Sequence, residues 1–499
     1  MTIEGPIDLA TLDALVARAH ESAKRDRGRL GTKEGREQAR VFPAFEGARD
    51  ATVQSTFKAL HELEPSPIHV AHRDALLRWV HELLQARIAW ELTIDEADAI
   101  HAPDSSLGPR AIRERETIAS SSLVNPAETA PIPNDDLRSR LATFDEARRA
   151  LVDAPHAAAA EIAVRRLEEL ASPVAAVRRE LRARRFEAAR RLGLEHPWAL
   201  ATPAKVTDLA SLARGLLDAT EPLAVELHKD LRRRSGAPLS PARAIDDAFG
   251  RDAREGWPAH LAVRWAEDVF RAIAPRPPRI AALPRPLGGA SFLRAAHDWG
   301  FALRLASVAR SVPFALARDP YPVDAYVFGG ALAVAVADRV FAKRKLGLPA
   351  RSADAHTRVL VRALFVALRR TAAELLSGMG DTSRPDELEE ITTRVFGAPL
   401  ETNLAVAWSY GGFAGSSRVD APARLLGAVR AFGFVRGLVA RFDEDWFDNP
   451  RVGSHLASIG AGPVWQAGAS APLLGGAEEA SEGVQAVPTI ARTFEETLG

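Results

Sequence analysis

Three stretches of this chain set a histidine beside an acidic residue at helical spacing, and each is a place where chemistry could be built. Two histidines four apart on one helix, with a glutamate after the first, present both imidazoles on one side and hold a carboxylate near a metal-bound water. His61-Glu62-Leu63-Glu64-Pro65 has the dyad but reaches proline where the second histidine belongs, and His81-Glu82-Leu83-Leu84-Gln85 has glutamine there. With 13 histidines in the chain such dyads arise by coincidence, and both read as ordinary helix surface. The third stretch, His297-Asp298-Trp299-Gly300-Phe301, has aspartate for the glutamate and phenylalanine for the second histidine. A histidine among Phe292, Leu293, Trp299 and Phe301 fits a satisfied core or cleft residue better than a ligand. His297 and Asp298 could form an acid–base pair, but helix neighbours project about 100° apart, so a substrate would have to bridge them.

Other chemistries have less support. The chain has no cysteine, which excludes disulfides, thiolate metal sites and a cysteine nucleophile. Gly329-Gly330 and Gly411-Gly412 neither follow a strand nor precede Lys-Ser/Thr, and no Gly-x-Ser-x-Gly elbow occurs. Asp246-Asp247-Ala248-Phe249-Gly250-Arg251-Asp252 resembles the Asp-rich magnesium motif of helical terpene synthases, but its spacing is off by one residue and it reads as a polar helix end. The arginines at 178, 179, 182, 184, 185, 190 and 191 are interrupted by Glu180 and Glu187 and lack stacking aromatics, so they read as a solvated face; a nucleic-acid partner is not expected. Lys343-Arg344-Lys345 closes a helix where positive charge favours the dipole.

The elements that must position these residues are helical. Apolar residues recur at i, i+3, i+4 and i+7 with scarce period-two alternation, which predicts an all-α fold. Helices are expected at 7–26, 66–101, 156–192, 205–234, 240–253, 257–273, 291–310, 323–344, 351–377, 385–396, 417–442 and 488–498. Pro173 is expected to open a second helix within 156–192. The 499 residues, 47% apolar, divide into an N-terminal helical region (1–101), a Pro- and Ser-rich linker (102–132), a helical body (133–465) and a Gly/Ala-rich tail with a short helix (466–499). The start Met1-Thr2-Ile3-Glu4-Gly5-Pro6 shows no secretory signal, and no apolar run approaches the roughly 20 residues of a membrane span. A cytoplasmic protein with no membrane partner is expected.

A family resemblance gathers around the third stretch. The passages Leu181–Leu200, Leu287-Gly288-Gly289-Ala290-Ser291-Phe292-Leu293-Arg294-Ala295-Ala296-His297-Asp298-Trp299-Gly300-Phe301-Ala302-Leu303 and Phe442-Asp443-Glu444-Asp445-Trp446-Phe447-Asp448-Asn449-Pro450-Arg451-Val452-Gly453 resemble, in order, segments of oligoendopeptidase F and thimet-oligopeptidase-like zinc peptidases. The likeness spans about residues 150–465 and implies a large multi-helix gluzincin-peptidase-like architecture with an internal cleft. It implies that His297 matches the first zinc ligand, that Asp298 replaces the glutamate base and that Phe301 replaces the second ligand. The family's third ligand is a glutamate on the next helix some 25 residues on, where this chain offers only Asp319, Asp324 or Tyr326. Trp408-Ser409-Tyr410-Gly411-Gly412 is the one cluster comparable to the family's late oxyanion-steadying passage. No metal and no cofactor is therefore expected.

Charge sharpens the departure. The formal net charge is zero, from 65 basic and 65 acidic residues, but residues 1–267 carry −3, residues 268–373 carry +11 and residues 374–499 carry −8. No glutamate stands between Glu267 and Glu374. The leading expectation is a catalytically degenerate, peptide- or protein-binding pseudoenzyme rather than a working zinc peptidase. One alternative is a repurposed non-metal enzyme acting on an anionic small molecule in the same cleft, with His297, Asp298, Tyr326 and Asp324 as its polar residues. Another is a helical assembly protein, prompted by the stripe Leu167, Leu170, Val174, Val177 and Leu181.

Overall fold

The structure is a computed structural model, which describes residues 8–41, 45, 47–66, 69–103, 141–153, 157–202, 205–235, 255–257, 265, 268–274, 289–379, 385–409, 420–464 and 481–498. The linker expected at 102–132, the helix at 240–253 and the clusters Asp246–Asp252 and Tyr410–Gly412 lie outside the described residues, apart from Ala102 and Pro103.

Asp8 starts the fold by accepting the backbone N–H groups of Ala10 and Thr11, satisfying donors that the first helical turn leaves open. Helix α1 (Leu9–Arg29) is followed by α2 (Lys33–Val41), α3 (Gln54–Glu62), α4 (Val70–Ile88) and α5 (Trp90–His101). Next come α6 (Phe144–Asp153), α7 (Ala157–Arg191), α8 (Val206–Ala219) and α9 (Glu221–Ser235). The remainder is α10 (Gly289–Ser307), α11 (Phe314–Ala317), α12 (Val323–Val336), α13 (Arg339–Arg344), α14 (Ala350–Met379), α15 (Pro385–Phe396), α16 (Thr402–Ser409), α17 (Ala421–Phe442), α18 (Pro450–Gly460) and α19 (Ser481–Leu498). Among the described residues there is no strand, and no helix is long and apolar enough to cross a membrane.

Three expected helices are each broken once. The stretch 66–101 divides at Ala89, the stretch 205–234 at Thr220, whose hydroxyl donates to the Leu216 carbonyl at 2.6 Å, and the stretch 323–344 at Ala337-Asp338. The Asp338 side chain then caps α13. Pro173 does the reverse of what was expected, because α7 runs 35 residues straight through it. Pro173 faces solvent, where water can satisfy the carbonyl left unbonded by the ring, while Ala171, Val174 and Ala175 beside it are fully buried.

The apolar faces meet in three main cores. One joins α1, α3, α4 and α5 with Ala315 of α11; the largest joins α6–α8 with α14–α17 and α19; the third surrounds α10, α12 and α17 with Trp299, Phe292, Phe341 and Phe447. Of the α7 stripe, Leu167 and Val174 enter the second core with Leu170 packed against it, and Leu181 is buried as well. Helix α12 lies between α10 and α17 and is apolar on nearly all sides, as a helix buried on all sides must be. Glycine makes both approaches close. A Cβ on Gly300 would lie 2.5 Å from the Phe328 carbonyl oxygen, and one on Gly427 would lie 2.2 Å from the Tyr326 Cβ.

Candidate functional site

On α10 the residues Phe292, Ala295, Ala296, Trp299 and Leu303 step by three and four into the core. That turns His297 and Phe301, one turn apart, along a shared flank of the helix, with Asp298 further out. Across from this flank α12 presents Tyr326. Its ring centroid lies 6.0 Å from that of His297 and 4.9 Å from that of Phe301, the latter edge-on. Gly329, three residues beyond Tyr326, backs the imidazole: a Cβ there would sit 2.7 Å from the His297 carbonyl oxygen and 3.0 Å from Nε2. The packing of His297 thus depends on a missing side chain on the neighbouring helix.

His297 Nδ1 and Asp298 Oδ1 are 3.5 Å apart, with side chains 33% and 57% exposed. Flexible side chains narrow the angular gap between adjacent positions, but no hydrogen bond joins the two, so their cooperation would still need a bridging substrate. Tyr326 donates its hydroxyl to Asp420 Oδ2. Burial, and then the Asp420 carboxylate, hold that hydroxyl well above the ordinary tyrosine range, so it remains a proton donor.

Asp420 leads into a buried charge network. One turn along α17, Arg424 Nη1 lies 2.9 Å from Glu374 Oε2 of α14, and Arg370 donates to Glu374 Oε1 at 3.0 Å. The Glu374 side chain is only 1% exposed. Burial disfavours the Arg424 charge, but Glu374, Asp420 and Tyr326 together outweigh it and keep it cationic. None of these four residues was anticipated. The available signals were the i, i+4 spacing of Asp420 and Arg424 and the place of Glu374 as the first glutamate after the long gap.

The other expected site residues stand elsewhere. Asp324, two positions from Tyr326, points away from His297 and pairs with Arg304 at 3.4 Å; Arg304 also donates to the Gly460 and Pro463 carbonyls at 2.9 and 2.8 Å. Asp324 therefore secures the end of α18 and is not placed with His297. Asp319 pairs with Arg78 at 3.0 Å, both buried, and burial raises its pKa to about 6. Of the three residues considered for the third position, only Tyr326 faces His297.

The dyads of the N-terminal helices divide. His61 and Glu62 are exposed, as expected. His81 is fully buried instead, and burial pushes its pKa down to about 3, so it is neutral. Gln85, at the second-ligand spacing, is its hydrogen-bonding neighbour, with Nε2 2.5 Å from His81 Nε2. Glu82 accepts from Arg185 at 3.0 Å and from the Tyr321 hydroxyl at 3.2 Å. The arginine face of α7 needs the same correction, since Arg178 pairs with buried Glu96 at 2.7 Å and Arg182 donates to the Ser377 carbonyl at 2.7 Å. Arg184, Arg190 and Arg191 do face solvent.

A catalytic zinc site of the histidine–glutamate kind needs three protein donors converging on one point. Around His297 stand Asp298 on the same turn, Phe301 with no donor atom, and Tyr326 with its hydroxyl committed to Asp420. Among the described residues no group of three or more His, Cys, Asp or Glu side chains is placed to hold a metal ion. These residues do not fit such a zinc site.

No family model and no curated protein sequence matches the chain. Solved structures do. A carboxypeptidase from Pyrococcus furiosus superposes with a TM-score of 0.52 at 11% identity, covering 98% of this chain and 100% of its own. PZ peptidase A, solved with an inhibitor, gives 0.51 at 10% identity, covering 99% and 98%. A protein assigned as oligoendopeptidase F gives 0.49 at 13% identity, covering 99% and 97%. The likeness extends well beyond residues 150–465 and takes in the N-terminal helices. At these identities it is a likeness of fold, and the chain has, over nearly its whole length, the all-helical fold of the gluzincin peptidases.

Proposed function

We propose that this chain is a peptidase-shaped binding protein that takes a peptide or protein segment against the His297 face without metal-dependent hydrolysis. The observation that carries the reading is the exchange of donors for rings: Phe301 and Tyr326 are the groups that flank His297 on α10 and α12. The kinship of fold with a carboxypeptidase and PZ peptidase A supports a body shaped to receive peptides. Partly exposed aromatic rings suit such a ligand, because they supply apolar contact at little entropic cost. The test combines elemental analysis of the purified protein with retention of a fluorescent peptide library and hydrolysis of quenched peptides. Substoichiometric zinc, retained peptide and no chelator-sensitive cleavage are expected. One zinc per chain with cleavage abolished by chelator would overturn the reading, as would failure to retain any peptide.

The close approach of His297 and Asp298 favours a second reading, a metal-free acid–base enzyme acting on an anionic small molecule. It ranks second because part of the positive charge of the middle segment is engaged in ion pairs, among them those of Arg344, Lys345, Arg369 and Arg370 with carboxylates from outside it. A panel of carboxylated and phosphorylated metabolites that raises the melting temperature of wild type but not of His297→Ala would promote it. The assembly reading ranks third, since Leu167, Leu170 and Val174 of the α7 stripe pack into the chain's own core.

A further inference from the structure

The misfit between these residues and a zinc site poses a mechanical question: what holds α10 and α12 in register at the point where a metal would have bridged them, and ties both to α17? We infer that Phe301, Tyr326 and Asp420 form a clasp that takes over this tie. The inference rests on the reading that no metal acts at His297. Phe301 meets Tyr326 edge-on at 4.9 Å, which joins α10 to α12 through the favoured geometry of an aromatic pair. The Tyr326 hydroxyl then donates to Asp420, immediately before α17, which joins α12 to the third helix. Glycine keeps the clasp short on both sides, for Gly329 lies against His297 and Gly427 lies against the Tyr326 Cβ.

Asp420 is itself buried and sits beside the Arg424–Glu374–Arg370 network, so the tie reaches α14 as well. The Phe301–Tyr326 contact uses side chains from the same two helices, at the same flank, that a histidine–histidine–glutamate set would use. Each exchange removes a metal donor and supplies a protein–protein contact in its place. The substitutions therefore act as a set, and the helices keep a spacing that donors at positions 301 and 326 can still span.

The test uses the full chain and zinc(II) alone as probe. Tyr326→Phe keeps the ring and removes the hydroxyl, and Phe301→Ala removes the edge contact. Both are expected to melt about 1–3 °C or more below wild type, with unchanged zinc content. Wild-type melting is expected to be indifferent to zinc and to chelator. The double variant Phe301→His/Tyr326→Glu is expected to melt lower still without zinc, to take up one zinc per chain and to recover on adding it. His297→Ala in that background should abolish both uptake and recovery. Zinc taken up by wild type through His297 would overturn the inference, as would a folded double variant that binds none. Should the double variant fail to fold, Tyr326→Phe and Phe301→Ala decide, because melting at the wild-type temperature by both would overturn the clasp. Peptide retention by wild type is read separately, so the clasp can fail while the binding reading stands.

Discussion

Gly329→Ala is the perturbation that reports most directly on how the site is assembled. The added Cβ would meet the His297 carbonyl oxygen at 2.7 Å and the imidazole Cδ2 and Nε2 at 3.0 Å. The first of these is a backbone atom that no rotamer change can move aside, so α10 and α12 must separate by several tenths of an ångström. Overpacking of this kind costs about 1–3 kcal/mol. Alanine also favours a helix over glycine by about 1 kcal/mol, which masks part of the cost. Gly437→Ala supplies the correction: Gly437 also lies within a helix, α17, and nothing approaches within 4 Å of its Cβ position. Gly437→Ala should thus be stabilising by about 0.5–1 kcal/mol. The propensity gain cancels between the two variants, so the difference between their urea midpoints, followed by tryptophan fluorescence, reads the overlap alone. Gly329→Ala should lie about 1–3 kcal/mol below Gly437→Ala and should also weaken peptide retention. Equal midpoints for the two variants would refute the close packing of α12 on His297, and with it the account of how the site is positioned.

Two further perturbations test the buried networks outside the site. His81 is neutral in the fold, with a pKa near 3 instead of 6.5, so stability linked to it is complete above pH 6.5 and is lost as pH falls toward 3. At pH 5 the loss relative to pH 7.5 is about 2 kcal/mol, and His196, lowered to about 4 by burial, adds a similar amount. Asp319, raised to about 6, acts in the opposite sense and returns about 1 kcal/mol over the same range. His81→Gln should therefore flatten the fall of the urea midpoint between pH 7.5 and 5, and an unaltered slope would show that His81 is not buried as a neutral ring. Arg78→Ala should destabilise by about 3–5 kcal/mol by stranding Asp319 in the interior, whereas Arg78→Met/Asp319→Leu should recover most of the loss in the same denaturation assay.

The helical class and the position of α10 were legible because one-sided burial leaves a 3.6-residue period in the sequence. The same logic explains the misreading at His81. Helix α4 is buried over most of its circumference, from Leu76 through Gln85, so it carries little periodicity and its polar residues look like surface. For the site, spacing reduced the third position to Asp319, Asp324 or Tyr326 but could not choose among them. That choice is set by the rotation of α12 against α10, which depends on Gly300 and Gly329 fitting against backbone on the facing helix. Asp420, Arg424 and Glu374 were illegible for a different reason. Their partnership joins positions far apart in the chain through a geometry that no local pattern encodes.

The distribution of charge acquires another meaning once partners are assigned. The excess of +11 over residues 268–373 suggested an anionic ligand near His297. In the fold Arg344 pairs with Asp445, Lys345 with Asp448, Arg370 with Glu374 and Arg369 with Glu221, all carboxylates from outside that segment. Arg304 and Arg339 are matched within it, by Asp324 and Asp354. Three of these carboxylates belong to the negative final segment, so part of the positive excess of the middle is neutralised within the chain. The His297 flank presents outward the Asp298 carboxylate, more than half exposed, and the exposed Arg294 one turn before it. With both signs of charge on that flank, charge alone does not select an anion there, and the proposed peptide binding relies on the rings of Phe301 and Tyr326.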